Sequence, residues 1–275
     1  MKLVLQKTIG LFINLIGLLS PKLAARIALF LFTKPLKGQI NEKQSDFLDT
    51  AFREELTYNN MPIMTYRWLG TKETVLLAHG WESNSARWQT LITNLKKRGY
   101  GVVALDAPAH GRSGSNRFNA IIYSEFIKVV SERFQPKIII GHSVGGMATA
   151  YFQHKYQKES IQKLILLGAP SEFTDVLKRY TDMLGFSKRV KKHLNLMIKE
   201  RFGEYPEAFS TANYLENINS KGLIIHDKKD RIIPFNDAVL IKTKYKNSTL
   251  ISTEGYGHSL ATDEVSNYIY DFLDN

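Results

Sequence analysis

The stretch "KIIIGHSVGG", residues 137–146, decides how the chain is read. Lys137-Ile138-Ile139-Ile140 is a short β-branched run bounded by glycine, the signature of a strand. Met147, Ala148, Tyr151 and Phe152 then recur at helical spacing. Ser143 therefore falls on a sharp strand-to-helix turn with small residues, Gly141 and Gly145, on either side. G-x-S-x-G alone arises by chance in fewer than about one in ten chains of this composition, so context carries the inference. An activated serine needs a base within hydrogen-bond reach and donors for the developing oxyanion.

The same alternation extends along the chain. Thr74 to Ala78, Gly101 to Leu105, Leu164 to Leu167, Gly222 to Ile225 and Leu250 to Ser252 are apolar β-runs without polar alternation. Such runs mark strands buried on both faces, and helical stretches between them predict a mainly parallel sheet with helices on both faces. One of those helices carries Trp88, Leu91, Ile92 and Leu95 as an apolar stripe that stops at Gly99. Upstream, runs at 51–58 and 61–69 flank Asn59-Asn60 and predict an antiparallel entry hairpin. Residues 39–49 read as a polar connector. Ser171 to Asn217 interrupts the alternation with mostly helical sequence containing Lys188-Arg189 and Lys191-Lys192, an insertion expected to act as a lid over the carboxyl edge of the sheet.

The chain has 275 residues, 44% hydrophobic and 23% charged, enough for one α/β domain with an insertion or for two smaller domains. Cysteine is absent, which excludes disulfides and thiolate catalysis. The net charge is +11, and Lys2, Lys7, Lys22, Arg26, Lys34 and Lys37 stand in the first forty residues without one acidic partner. That segment is also apolar. Residues 3–19 and 23–32 predict two short helices separated by Ser20-Pro21 and stopped by Pro35 and Gly38, with Lys2, Gln6, Gly10, Asn14 and Gly17 forming one narrow stripe. Each run falls short of the roughly 20 residues that span a bilayer, so residues 1–38 are expected to contact an anionic membrane surface peripherally. The alternatives are an export signal, with Leu23-Ala24-Ala25 as a weak cleavage site, or helices that cover the catalytic domain or a partner subunit. The expected location is cytoplasmic, peripheral at the membrane, with export as the alternative. No nucleic-acid-binding module is present, and the oligomeric state is not legible.

Chemistry-bearing residues follow the strands. His79-Gly80-Trp81 comes after Thr74 to Ala78, His226-Asp227-Lys228-Lys229-Asp230 after Gly222 to Ile225, and Gly255-Tyr256-Gly257-His258 after Leu250 to Ser252. A parallel sheet presents these ends on one edge, so residues distant in sequence should form one site.

With "HGW" at 79–81, "DAPAHGRS" at 106–113, "GHSVGG" at 141–146, "HDKKDRIIP" at 226–234 and "GYGH" at 255–258, the sequence resembles the α/β-hydrolase superfamily over about residues 50–275. It is most similar to the lipase-like and peptidase-like serine hydrolases with a helical lid. The resemblance implies Ser143 as nucleophile, His258 as general base and Asp230 as the acid that orients the imidazole, with Asp227 as a competitor that instead braces its loop. It implies an oxyanion hole from the backbone N–H groups of Trp81 and Val144. His79, Trp81 and His142 are candidates for the substrate pocket, the two histidines also as shapers of their turns. Asp106 and His110 belong to a structural loop in which Ala109 replaces the family's usual glycine. No metal and no cofactor are expected, since neither metal-ligand spacing nor a phosphate-binding glycine loop is present.

The implied activity is hydrolysis of an ester, thioester or related acyl bond of a small-molecule, lipophilic substrate through an acyl-enzyme. An acyltransferase, or a hydrolase of amide or C–C bonds, would use the same residues. A non-catalytic binding module on this fold is the reading from another class.

Overall fold

The computed structural model describes residues 2–275. It resolves into two compact units, one of Pro35–Ser171 with Thr211–Asn275, the other of the segment up to Lys34 with Glu172–Ser210. The helices are, in chain order, α1 (Lys2–Leu19) and α2 (Pro21–Thr33) at the start, and α3 (Glu42–Leu48) before the sheet. Then come α4 (Gln89–Lys97), α5 (Ala120–Phe134) and α6 (Val144–Tyr156) between strands, α7 (Phe173–Leu184) and α8 (Lys188–Phe202) in the insertion, and α9 (Thr211–Leu215), α10 (Phe235–Lys244) and α11 (Asp263–Asp274).

The larger unit is built on eight strands: β1 (Phe52–Tyr58), β2 (Met61–Trp68), β3 (Thr74–Ala78), β4 (Gly101–Leu105), β5 (Ile138–His142), β6 (Lys163–Leu167), β7 (Lys221–Asp227) and β8 (Ser248–Thr253). Their order in the sheet is β1-β2-β4-β3-β5-β6-β7-β8. β1 and β2 form the expected hairpin, with Asn59 and Asn60 at φ +45° and +61°, the left-handed pair that a two-residue hairpin turn requires. β2 joins β4 antiparallel, and every later pairing is parallel. This is the α/β-hydrolase architecture that the sequence implies.

Alternate residues of the parallel strands feed two cores. Leu76, Val103 and Ile139 meet Phe126 of α5, Phe152 of α6 and Ile241 of α10, while Val75, Val102 and Ile140 meet Leu91 and Leu95 of α4 and Val265 and Ile269 of α11. β5 lies in the middle, paired with β3 and β6, so its C-terminal end opens at the centre of the sheet edge.

Residues 39–49 are not merely a connector. They contain α3, started by a capping box in which the Gln44 N–H donates to Asn41 Oδ1 (3.0 Å) and the Asn41 N–H to Gln44 Oε1 (3.1 Å). A seven-residue helix whose one buried side chain is Leu48 has no apolar stripe for periodicity to detect.

The smaller unit joins segments far apart in sequence. Ile13 of α1, Ala24, Ala25, Ala28 and Leu29 of α2, Leu177 and Leu184 of α7, and Val190, Leu194 and Ile198 of α8 form one apolar core. Of the two segments that read separately, a leader of 1–38 and an insertion of about 171–217, the parts up to Lys34 and from Glu172 to Ser210 thus share a folding unit, while 35–38, Ser171 and 211–217 belong to the larger one. Leu23-Ala24-Ala25, the alternative cleavage site, lies inside the shared unit.

α1 docks through its small and polar stripe. A β-carbon at Gly10 would lie within bonding distance of the Leu184 carbonyl oxygen, so only glycine permits this approach. Asn14 Nδ2 donates to Gly185 O (2.9 Å), and the Ser187 N–H donates to Asn14 Oδ1 (2.8 Å), so one amide closes the end of α7 and the start of α8. Asn14→Ala leaves both backbone groups to water, at about 0.5–1.5 kcal/mol for each exposed bond lost. Hydrogen exchange should speed up in α1 and at the α7–α8 turn while amides of the central strands keep their protection.

Candidate active site

Ser143 joins β5 to α6 with φ +53° and ψ −126°, a conformation sparsely populated by any residue with a side chain and costing on the order of 1–3 kcal/mol. Its surroundings impose the turn. A β-carbon at Gly145 would overlap Ala78 O, and one at Gly141 would come within 2.6 Å of the Gly146 α-carbon, so helix and strand meet backbone to backbone. The Ser143 N–H donates to Leu167 O (2.8 Å), and its carbonyl accepts from Gly146 N (2.9 Å), tying the turn to β6 and to the first turn of α6.

Ser143 Oγ lies 3.0 Å from His258 Nε2, and His258 Nδ1 lies 2.7 Å from Asp230 Oδ2. An ionised carboxylate only accepts, so Nδ1 carries the proton and Nε2 is left to accept from the serine hydroxyl. The Asp230 side chain is fully buried and also accepts from the N–H groups of Ile232 (2.7 Å) and Ile233 (3.0 Å). Burial by itself would raise its pKa, but the His226 and His258 imidazoles and these two amides outweigh burial and hold it well below the ordinary 3.8. The three residues come from loops after three strands, 28 and 115 positions apart along the chain.

Asp227 makes no bond to the imidazole. It is fully buried and accepts from Lys229 N (2.9 Å), Thr253 Oγ1 (2.9 Å) and Tyr256 N (2.8 Å), so it binds the loop after β7 to the loop that presents His258. That is the bracing role expected of it.

The backbone N–H groups of Trp81 and Val144 take no protein acceptor among the described residues. A β-carbon at Gly80 would lie 3.0 Å from the Ser143 β-carbon, so the His79-Gly80-Trp81 turn runs against the serine. The Trp81 ring is half-buried and edge-on to His110 and Phe118, 5.4 Å from each.

His79 is corrected as a pocket residue. It has no exposed surface; its Nε2 accepts from Ala107 N (2.9 Å) and its Nδ1 donates to Gly80 O (2.8 Å), so a substrate has nothing to touch. Burial, then the neighbouring His110, pushes its pKa well down and keeps it neutral in this turn-shaping role. His142 is likewise buried, with its pKa driven down first by burial, and its Nε2 donates to His258 O (2.8 Å). It pins the histidine loop to the serine strand.

Sequence reasoning assigned no role to His226. It is fully buried, donates through Nε2 to Ile233 O (2.9 Å) and lies 3.4 Å from Asp230 Oδ2, holding the loop that carries the acid. Its place four residues before Asp230, inside "HDKKD", was the available signal. Asp106 anchors the structural loop by accepting from Tyr66 Oη, Ser85 N, Ser85 Oγ and Arg112 N. Ala109 adopts φ +64°, keeping the left-handed backbone that glycine would adopt more easily.

The family description "Serine aminopeptidase, S33" matches residues 70–201. The bifunctional esterase/perhydrolase DCH of Acinetobacter calcoaceticus is 25% identical, with 72% of this chain and 90% of its own length covered. The family match spans just under half of the chain, which in sequence is similar to the α/β-hydrolase superfamily and shares its fold. Among solved structures, the esterase of Exiguobacterium antarcticum superposes with TM-score 0.63 at 18% identity, covering 82% of this hydrolase and all of the esterase. Est1E of Butyrivibrio proteoclasticus, solved with ferulic acid, gives 0.66 at 16%, covering 81% and 100%. The protein is an esterase- and lipase-like serine hydrolase.

Two substitutions separate the acids in this hydrolase. Asp230→Asn keeps the shape but destroys the tautomer, and kcat should fall by about 10³–10⁴. Asp227→Asn, which only loosens the loop, should lower kcat by less than about tenfold while reducing stability. A depressed folded-state pKa gives Asp230 a stabilising contribution that is complete above the ordinary 3.8 and lost as pH falls through the lower folded value. The difference in unfolding midpoint between the wild type and Asp230→Asn should therefore narrow below pH 3.8.

Proposed function

We propose that the protein hydrolyses ester, thioester or related acyl bonds of a lipophilic small molecule, with Ser143, His258 and Asp230 as its catalytic triad. The observation that carries this reading is the hydrogen-bonded chain from Ser143 Oγ through both nitrogens of His258 to the buried, ionised Asp230.

In this reading His258 Nε2 takes the hydroxyl proton as Ser143 Oγ adds to the acyl carbon. The carbonyl oxygen becomes an oxyanion facing the N–H groups of Trp81 and Val144. Asp230 stabilises the imidazolium without taking its proton. Collapse breaks the bond to the leaving group, which receives that proton, and leaves the acyl group on Oγ. Water then attacks the acyl carbon, gives its proton to Nε2, and the free acid departs as Oγ regains a proton. The charge thus moves between groups already oriented, which lowers reorganisation during the reaction. The lipophilic character of the substrate rests on the apolar surface of α1.

A fluorophosphonate probe followed by intact mass tests the nucleophile. One probe should add to the wild type, none to Ser143→Ala, and addition to His258→Ala should slow by at least about 100-fold. Labelling that persists in Ser143→Ala would overturn the assignment. Acyl esters of increasing chain length then test the substrate class, with kcat/KM expected to rise from short to long chains; a flat series would refute the lipophilic substrate.

A further inference from the structure

α1 is amphipathic in the opposite sense to a helix on a water-soluble surface. Its small and polar stripe, Gln6, Gly10, Asn14 and Gly17, turns towards α7 and α8. Leu5, Leu11, Phe12, Leu15, Leu18 and Leu19 are each more than half exposed, and Val4 with them. At 100° per residue these side chains fill one continuous face of about 140°, on which the polar residue is Thr8. The Thr8 hydroxyl already donates to Val4 O (3.0 Å), so the polar side chain on that face has its donor met within the helix.

The surrounding charge identifies what covers this face. Residues 1–34 and 172–210 carry 13 basic and 6 acidic side chains, a net +7 of the chain's +11. None of the acids lies in residues 1–34. Lys7, Lys22 and Arg26 are exposed around the apolar face, and Lys188, Arg189 and Lys192 are exposed at the start of α8. Two copies of so cationic a surface repel each other, whereas an anionic lipid surface satisfies apolar and cationic groups together. Among the described residues no helix is long and apolar enough to cross a membrane. A helix that keeps one face on its own protein can lie in the interface without spanning it.

We propose that α1 is a bilayer-docking helix: its leucine-rich face enters the headgroup–acyl boundary of an anionic membrane, with Lys22 and Arg26 at the phosphates. The helix is held rigidly by Gly10 and Asn14, so binding orders no new chain, and the whole unit of α1, α2, α7 and α8 is brought to the lipid together.

Flotation of the full chain with phosphatidylcholine vesicles, with and without about 30% phosphatidylglycerol, tests this. The wild type should partition at least about tenfold more strongly to the anionic vesicles and be released by salt. Leu11→Glu with Leu15→Glu should reduce binding by at least about tenfold. Both sites are solvent-exposed, so the unfolding midpoint should stay unchanged and serve as the control for folding. Lys22→Glu with Arg26→Glu should remove the preference for anionic lipid. In Phe12→Trp, brominated lipids should quench the new indole. Equal flotation of the wild type and the Leu11/Leu15 variant, or absence of quenching, would overturn the proposal. So would self-association, abolished by the same substitutions, in a protein that does not float, which would make the occupant a second copy.

Discussion

The absence of a side chain at Gly145 is the constraint on which the site depends. α6 starts so close to the end of β3 that a β-carbon there would overlap the carbonyls of Ala78 and His79. This approach forces the residue before the helix into positive φ, and that residue is Ser143. The serine is thereby lifted clear of both strand and helix, with the start of α6 beneath it and the His79-Gly80-Trp81 turn beside it. Strain at one residue is tolerated because the backbone bonds to Leu167 and Gly146 leave it no alternative.

Around that turn, neutral and charged groups are separated by what donates to them. Asp230 is buried yet ionised because two amides and two imidazoles converge on it. His79 and His142 are neutral because burial penalises the charged ring, and their bonds to backbone do not offset it. The histidine between Ser143 and Asp230 is the one whose two nitrogens both face side chains. Asp227 and His226, neither touching the serine, fix the loops that bring it there. The positions of Ser143, His258 and Asp230 are thus fixed by buried polar contacts one layer away from them.

The smaller unit follows a different logic. Its core is made by pairing the leading helices with the insertion, and the side-chain amides of Gln6 and Asn14 are used in that pairing. What remains outward is leucine and phenylalanine, set in a strongly cationic surrounding. A helix that spends its polar stripe inside must find an apolar medium outside, which links the fold of this unit to the surface proposed for it.

Sequence alone determined the strands and the order of the motifs, because doubly buried strands need unbroken apolar runs and a nucleophile turn needs glycine at fixed offsets. β3, β4 and β5 begin and end within two residues of the expected limits. The resemblance of the chain's motifs to the α/β-hydrolase superfamily named Ser143, Asp230 and His258 as candidates, and each follows a strand whose end must lie on one edge. Between Asp227 and Asp230 the spacing leaves the choice open and the resemblance favours Asp230; tertiary structure decided it, because Asp230 meets the imidazole while Asp227 ties two loops together. It also decided that His79 is sealed from any substrate and that His226 backs the acid, which are matters of burial. The direction of α1 was equally hidden. Periodicity reveals that a helix has two faces, and only the partner it packs against determines which face is inside.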